Sequence, residues 1–466
     1  MNRIVPLILA VALFMEQMDS TVIATALPAI AADLGVGPIT LKLALTSYMV
    51  ALAIFIPISG WMADRFGAKK VFRLAIVVFM IGSVLCAVSN SLPTFVLSRF
   101  LQGMGGAMMS PVGRLVLLRT TKRSELVSAM ALLTIPALIG PLSGPPIGGF
   151  ITTYFTWQWI FLINVPIGLL GIWLSGIYLP EIGAIRPPPI DWAGFFLASM
   201  AAAGAVFGLS VISLPALPPA FGGAITLFGI LCGVLYVRHA LRHPAPILSF
   251  AIFRNDAFRI VMTSSTIYRI STGAIPFLMP LMLQLSFGLN AFQAGMITFA
   301  SAIGALMVKF IARRVFAATG FKVTLIAASI LGSATTAING FFTPETSHAL
   351  IIAFLVMSGL CRSFFFTGSN ALSYSEIDDR QASQATSIAS VLQQVSLALG
   401  VAFAALMLEA SSILSGSHLQ LEDFHLAFFV VAGVSLFAAV PLLTLKRHAG
   451  SMASGHRLRA RTEAAE

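Results

Sequence analysis

A chain of 466 residues could hold about three soluble domains, but its composition excludes them. Hydrophobic residues make up 58% and charged residues only 10%, where soluble domains sit near about 45–50% and about 25%. With a mean hydropathy of +0.94, there is too little polar surface to coat a water-soluble body. The balance is basic, 28 Lys and Arg against 17 Asp and Glu, yet the basic residues lie in short tracts between apolar runs. No nucleic-acid partner is therefore expected. Cys86, Cys232 and Cys361 all fall inside apolar runs, and the seven His are scattered over inter-span segments and helix ends. Neither pattern makes a disulfide framework or a metal constellation, so no metal and no cofactor is expected.

A membrane helix needs about 20 mostly apolar residues to cross about 30 Å of hydrocarbon. Fourteen such runs lie near 5–30, 40–63, 71–91, 94–118, 126–152, 158–179, 191–212, 218–237, 258–283, 291–312, 322–342, 348–370, 384–410 and 424–445. The first has a signal-peptide look, with Arg3 before it and Ala29-Ile30-Ala31 near its end, but Glu16 and Asp19 inside it predict a retained span. Lys and Arg accumulate in cytoplasmic loops. With the N-terminus inside, Arg65, Lys69, Lys70, Arg73, Arg119, Lys122, Arg123, Arg186, Arg238, Arg242, Arg254, Arg259, Arg313, Arg314, Lys322, Arg380 and the tail basics all fall inside. Outside segments hold Lys42 alone, while Arg99, Arg114, Arg269, Lys309 and Arg362 lie within spans. An even span count with both termini cytoplasmic follows. Pro180–Asp191 and Arg238–Arg259 bracket a helix pair, giving a layout of six, two and six spans. The expected divisions are 1–180, an N-terminal six-helix bundle; 181–257, a two-helix insertion and linker; 258–446, a C-terminal six-helix bundle; and 447–466, a polar tail.

Ionisable side chains inside a bilayer are costly and default to function. Glu16 and Asp19 are three apart on one helix face, near the middle of their span; a helix-packing pair is the alternative. In the turn after the second span, Asp64 can meet a helix N-terminus through the dipole. Gly60, Arg65, Gly67, Lys69 and Lys70 complete that turn, and the two lysines serve equally well as topology markers. In the fourth span Arg99, Gln102, Gly103, Gly106, Ser110, Gly113 and Arg114 recur at three- and four-residue steps. Such a stripe suits a cavity lining and close helix approach; Arg114, near the helix end, can also simply snorkel. Arg269, in the ninth run, joins the expected lining. The fifth span concentrates Pro136, Gly140, Pro141, Gly144, Pro145, Pro146, Gly148 and Gly149. That makes a kinked helix with a flat face, which serves either tight packing or a pivot.

These stretches resemble the major facilitator superfamily and, within it, the fourteen-span EmrB/QacA-type drug:proton antiporters. Asp19-Ser20-Thr21-Val22 through Ala26-Leu27-Pro28 is similar to the first-span signature, and Gly60 through Lys70 to the superfamily's turn motif. Arg99-Phe100-Leu101-Gln102-Gly103 with Gly105-Gly106 resembles the fourth-span motif, Pro136 through Gly149 the exporter motif, and Trp157-Gln158-Trp159 with Asn164-Val165-Pro166 the start of the sixth span. The second half matches by layout only, and its turn Ala312–Lys322 keeps basic residues and Gly320 but has no counterpart of Asp64. The resemblance implies two six-helix bundles built from inverted repeats around a central cavity, with two additional helices beside them. It implies that Asp19 carries the proton or recognises a cation, with Arg99 tuning it; Glu16 is a second candidate acid by its depth and shared helix face alone, since the signature matches at Asp19. It also makes Asp64 and Arg65 a cytoplasmic latch against a helix beginning near Gln381–Thr386, and the fifth-span glycines and prolines an interbundle hinge.

The leading expectation is proton-coupled efflux of small amphiphilic compounds across the inner membrane, with small-molecule substrate, protons and lipid as partners. Nothing in the sequence indicates a periplasmic adaptor. The runner-up is a transporter of one metabolite (amino acid, osmolyte or siderophore) on the same scaffold. An enzyme is not expected: no nucleophile, metal or cofactor motif is visible, and Gly103-Met104-Gly105-Gly106 has no strand before it. No repeated filter or charge ring suggests a channel.

Overall fold

The computed structural model describes residues 4–121, 126–181, 189–212, 214, 217–375, 377, 379–415, 419–446 and 449–450, with backbone only at 118, 126–131, 134–138, 374–375, 379–383 and 415. Lys122, Arg123, Arg186, the side chains of Pro136, Arg380 and Gln381, and all of the polar tail but residues 449–450 lie outside the described residues. The described residues contain helices and no strand.

The first apolar run bends. Helix α1 (Ile4–Val22) passes through a 3-10 turn at Ile23–Thr25 into α2 (Leu27–Leu34), which has Pro28 in its first turn. There follow α3 (Lys42–Phe66), α4 (Ala68–Ala87), α5 (Leu92–Thr120), α6 (Leu126–Tyr154), the short α7 (Trp159–Leu162) and α8 (Asn164–Tyr178). The inserted pair is α9 (Trp192–Ile212) and α10 (Pro219–Ala240). The second half comprises α11 (Asp256–Leu285), α12 (Ala291–Asn339), α13 (His348–Ser375), α14 (Asp379–Ser415), α15 (Leu421–Leu436) and α16 (Ala439–Leu443).

A helix rising about 1.5 Å per residue needs no more than about 25 residues to span a bilayer, so the 49 residues of α12 are two spans. They meet at Gly320, whose φ of 75° breaks the helix. Gly67, with φ 91°, makes the corresponding turn between α3 and α4. Both turns demand a left-handed backbone that a side chain would strain. Among the described residues, eleven stretches are long and apolar enough to cross a membrane; with α5 and α6 added, and α12 divided at Gly320, the count is fourteen.

Within the first half α1 lies along α6, and α5 lies along α3 and α4. In the second, α11 lies along α14, and the two halves of α12 pair with α13. Two seams join the bundles, α6 against α12 and α3 against α14. The hairpin α9–α10 covers the α3–α14 seam, with α9 touching both helices.

The apolar core divides unevenly. At the helix ends away from the basic turns, one continuous cluster joins both bundles, including Val22, Leu27, Phe95 and Phe161 with Phe277, Leu281, Ile297 and Leu408. Towards the basic end the bundles have separate cores: one around Phe72, Phe79 and Met109, the other around Phe258, Tyr268 and Phe365. The molecule is sealed at its far end and divided at its basic end. A cleft of about 220 Å³ lies between α6, at Leu142, and α12–α13, at Ala305, Lys309, Arg362, Phe366 and Asn370.

Candidate functional site

Four helices bring their polar residues to one point inside the first bundle. Asp19 on α1 is fully buried and takes donors from two other helices. Arg99 Nη1 on α5 donates to Asp19 Oδ2 at 2.6 Å, while Gln102 Nε2 on α5 and Asn164 Nδ2 on α8 each donate to Oδ1 at 2.8 Å. Arg99 also donates to Gln102 Oε1, and Gln102 and Asn164 both donate to Ser83 Oγ on α4. The Arg99 guanidinium lies 4.4 Å above the Tyr48 ring and 5.7 Å from that of Phe161, so aromatic faces support the charge. A buried ion pair is tolerable only when its remaining hydrogen-bonding capacity is largely met, and the amides supply most of it here.

Close backbone approach makes this possible. A Cβ at Gly82 would collide with the Gln102 backbone, one at Gly103 with Tyr48, and one at Gly105 with Phe79. The small residues of α5 therefore seat it between α3 and α4. Gly103 and Gln102 are enclosed among helices rather than facing the cleft, whereas Gly106 adjoins Glu16 and the Tyr48 hydroxyl. Glu16, one turn before Asp19, is buried and accepts from Gln17 Nε2 at 2.9 Å; the charges of Arg114 and Asp19 both act on it. Ser110 is half-buried and Arg114 exposed.

Other expected site residues lie elsewhere. Arg269 is buried in the second bundle with its guanidinium 5.0 Å from the Phe366 ring, apart from the hydrogen-bonded group around Asp19. In the turn motif, Asp64 accepts from Arg119 Nη2 at 2.7 Å, and Lys69 donates to the Gly176 carbonyl at 2.9 Å. Gly60 borders open space, and Arg65 and Lys70 are exposed. Asp64 is thus held within its own bundle in this state. In α6, Gly140, Gly144 and Gly148 receive α1 at Phe14–Met18, Thr21 and Val22. Gly149 receives Ala291 and Phe292 of α12, and Pro145 meets Gly295 of that helix. Pro141 lies on the same helix, between these two faces.

Two groupings were hidden by distance in sequence. Lys42 Nζ at the start of α3 bonds Glu409 Oε2 near the end of α14 at 2.5 Å, linking the bundles at the far end. The expected scatter of histidines also needs correction: Asp191, His239 and His243 come within 4.8 Å, because the start of α9 and the end of α10 meet at the same end of their hairpin.

Comparison with known proteins places the chain among transporters. The model of the Major Facilitator Superfamily matches residues 9–253 and 261–463. A relative named transport protein HsrA, from Haemophilus influenzae, is 34% identical over 442 residues, covering 95% of each chain. A multidrug resistance protein named MdtD, from Citrobacter koseri, is 35% identical over 402 residues, 86% of this chain and 85% of its own. Among solved structures, a POT family transporter in complex with 5-aminolevulinic acid superposes with a TM-score of 0.70 at 14% identity, covering 96% of both chains. A D-xylose-proton symporter does so at 0.68 and 14%, covering 95% of this chain and 97% of its own. At such identities the two structures speak for the fold alone. The chain is a multi-pass inner-membrane transporter that belongs to the Major Facilitator Superfamily and to its EmrB/QacA-type group.

Proposed function

We propose that the protein exports small amphiphilic compounds in exchange for protons, with its basic end and both termini in the cytoplasm. The observation that carries this reading is the enclosure of Asp19. An ionised carboxylate in such a place is held by Arg99, and protonation would weaken that pair. Gln102, Asn164 and Ser83 can each donate or accept, and Asn164 Oδ1 has no partner among the described residues. The pocket can therefore host Asp19 in either protonation state with its hydrogen bonds met, as a proton carrier requires. Glu16 lies on the same helix face and can share the proton, so that the pair titrates jointly. The names of the MdtD relatives support a drug-like substrate.

In this reading α6 is the hinge, and Asp64 and Arg65 latch the basic end when it closes. Substrate efflux from everted vesicles under an imposed pH gradient tests the reading. Asp19→Asn should abolish gradient-driven transport at unchanged expression, and Glu16→Gln should narrow the substrate range. Full activity of Asp19→Asn would make Asp19 structural. One observation favours a single metabolite as cargo: the interbundle cleft is lined by Lys309 and Arg362 with Thr367 and Asn370, a basic surface that suits an anionic or zwitterionic compound. Transport of one such compound, with no cationic amphiphile moved, would select that alternative.

A further inference from the structure

We propose that Asp191, His239 and His243 form a binding site for a divalent transition metal of the zinc class at the basic end of the α9–α10 hairpin. The ligand atoms of these residues lie within 4.8 Å of one another. His239 and His243 sit on successive turns of one helical stretch: the His243 N–H donates to the His239 carbonyl at 2.9 Å, and the rings stack 5.1 Å apart. The four-residue spacing presents both imidazoles on one side. Without an ion His243 Nδ1 accepts from the Ala245 N–H at 3.3 Å; ligation through Nε2 would move the ring proton to Nδ1 and give up that long contact.

Asp191 stands opposite them, directly before α9, with its side chain only 2% exposed. Its Oδ1 accepts from the Gly194 N–H at 2.8 Å and lies 2.8 Å from His239 Nε2. Its Oδ2 is buried and has no hydrogen-bond partner among the described residues. A Cβ at position 194 would collide with that oxygen, so Gly194 makes the space it occupies. A buried carboxylate oxygen without a partner is costly, and a cation satisfies it.

Two imidazoles and one carboxylate form a nitrogen–oxygen donor set that suits Zn²⁺, Co²⁺ or Ni²⁺ better than Ca²⁺ or Mg²⁺. Three protein ligands leave a further coordination position for water. A bound ion ties the first residue before α9 to the last turn of α10, on the hairpin that touches both bundles.

The test uses the full-length protein, purified in detergent without a polyhistidine tag and stripped with chelator. Co²⁺ binding is followed by visible d–d absorption and Zn²⁺ binding by calorimetry. Wild type should take up about one equivalent with an open tetrahedral signature. His243→Ala and Asp191→Asn should each weaken binding about tenfold or more. An unchanged cobalt band in both variants, or none in wild type, would mean that the cluster is only a hydrogen-bonded clip. If neither variant yields monodisperse protein, wild type decides: Zn²⁺ should protect His239 and His243 from diethyl pyrocarbonate, read by peptide mass spectrometry. Equal modification with and without Zn²⁺ removes the site.

Discussion

Arg99 donates through one nitrogen to two acceptors and lays its plane over Tyr48, so its charge and its shape are both in use. Removing one partner from a buried ion pair costs about 3–5 kcal/mol, because the other charge is left uncompensated. Arg99→Ala should therefore lower the melting temperature of the purified protein as well as abolish gradient-driven efflux. Arg99→Lys should keep the charge but restore neither, since an ammonium lacks the planar fork and the flat face. A lysine variant with wild-type efflux and stability would reduce Arg99 to a point charge. The sequence makes Asp19, Glu16 and Arg99 visible because ions are rare in apolar runs. Ser83 and Tyr48 are ordinary residues for a membrane helix, and their part depends on where α3 and α4 come to lie. Asn164 is visible only through its motif. Lys42 and Glu409, 367 residues apart, meet only once the bundles dock.

The fifth-span motif becomes two surfaces once α6 is placed between α1 and α12. Gly140, Gly144 and Gly148 accept a helix of the same bundle, whereas Gly149 accepts the other bundle. The cluster of small residues announces close packing, but its period does not say which neighbour each glycine meets. A methyl group at Gly149 would strike the Ala291 carbonyl and stand 2.8 Å from Phe292 Cα. Backbone cannot step aside as a flexible side chain can. Gly149→Ala should therefore disfavour the state sealed at the far end, raise the reactivity of far-end cysteines towards a thiol reagent, and slow transport at equal expression. Glu409→Gln, which takes the charge from the Lys42 pair at the same end, should act in the same direction. Unchanged cysteine reactivity in both variants would show that these contacts do not set the access state.

Number and length of spans are legible from hydropathy alone, since each run must be apolar for about 20 residues whatever it packs against. The break at Gly320 is legible too, as a basic, glycine-bearing turn between two runs. The state of the molecule is not, because sealed and open forms share one sequence and differ only in which surfaces meet. The asymmetric placing of basic residues predicts sidedness, and labelling checks it. A cysteine at the exposed Arg254 should resist an impermeant thiol reagent applied to intact cells, while one at the exposed Glu345, between α12 and α13, should react. Labelling at position 254 from outside would invert the topology.

The shared core at the far end and the divided cores at the basic end also bear on how the protein comes apart. Segments that bury one continuous apolar cluster open together, and those with separate clusters open independently. Amide hydrogens of α1, α5, α11 and α14 near Val22, Phe95, Phe277 and Leu408 should exchange as a single slow unit spanning both halves of the chain. Those around Phe72 and those around Phe365 should exchange faster, at two unlinked rates. The far end would then be the last part of the transporter to unfold, and a mutation there would weaken both halves at once.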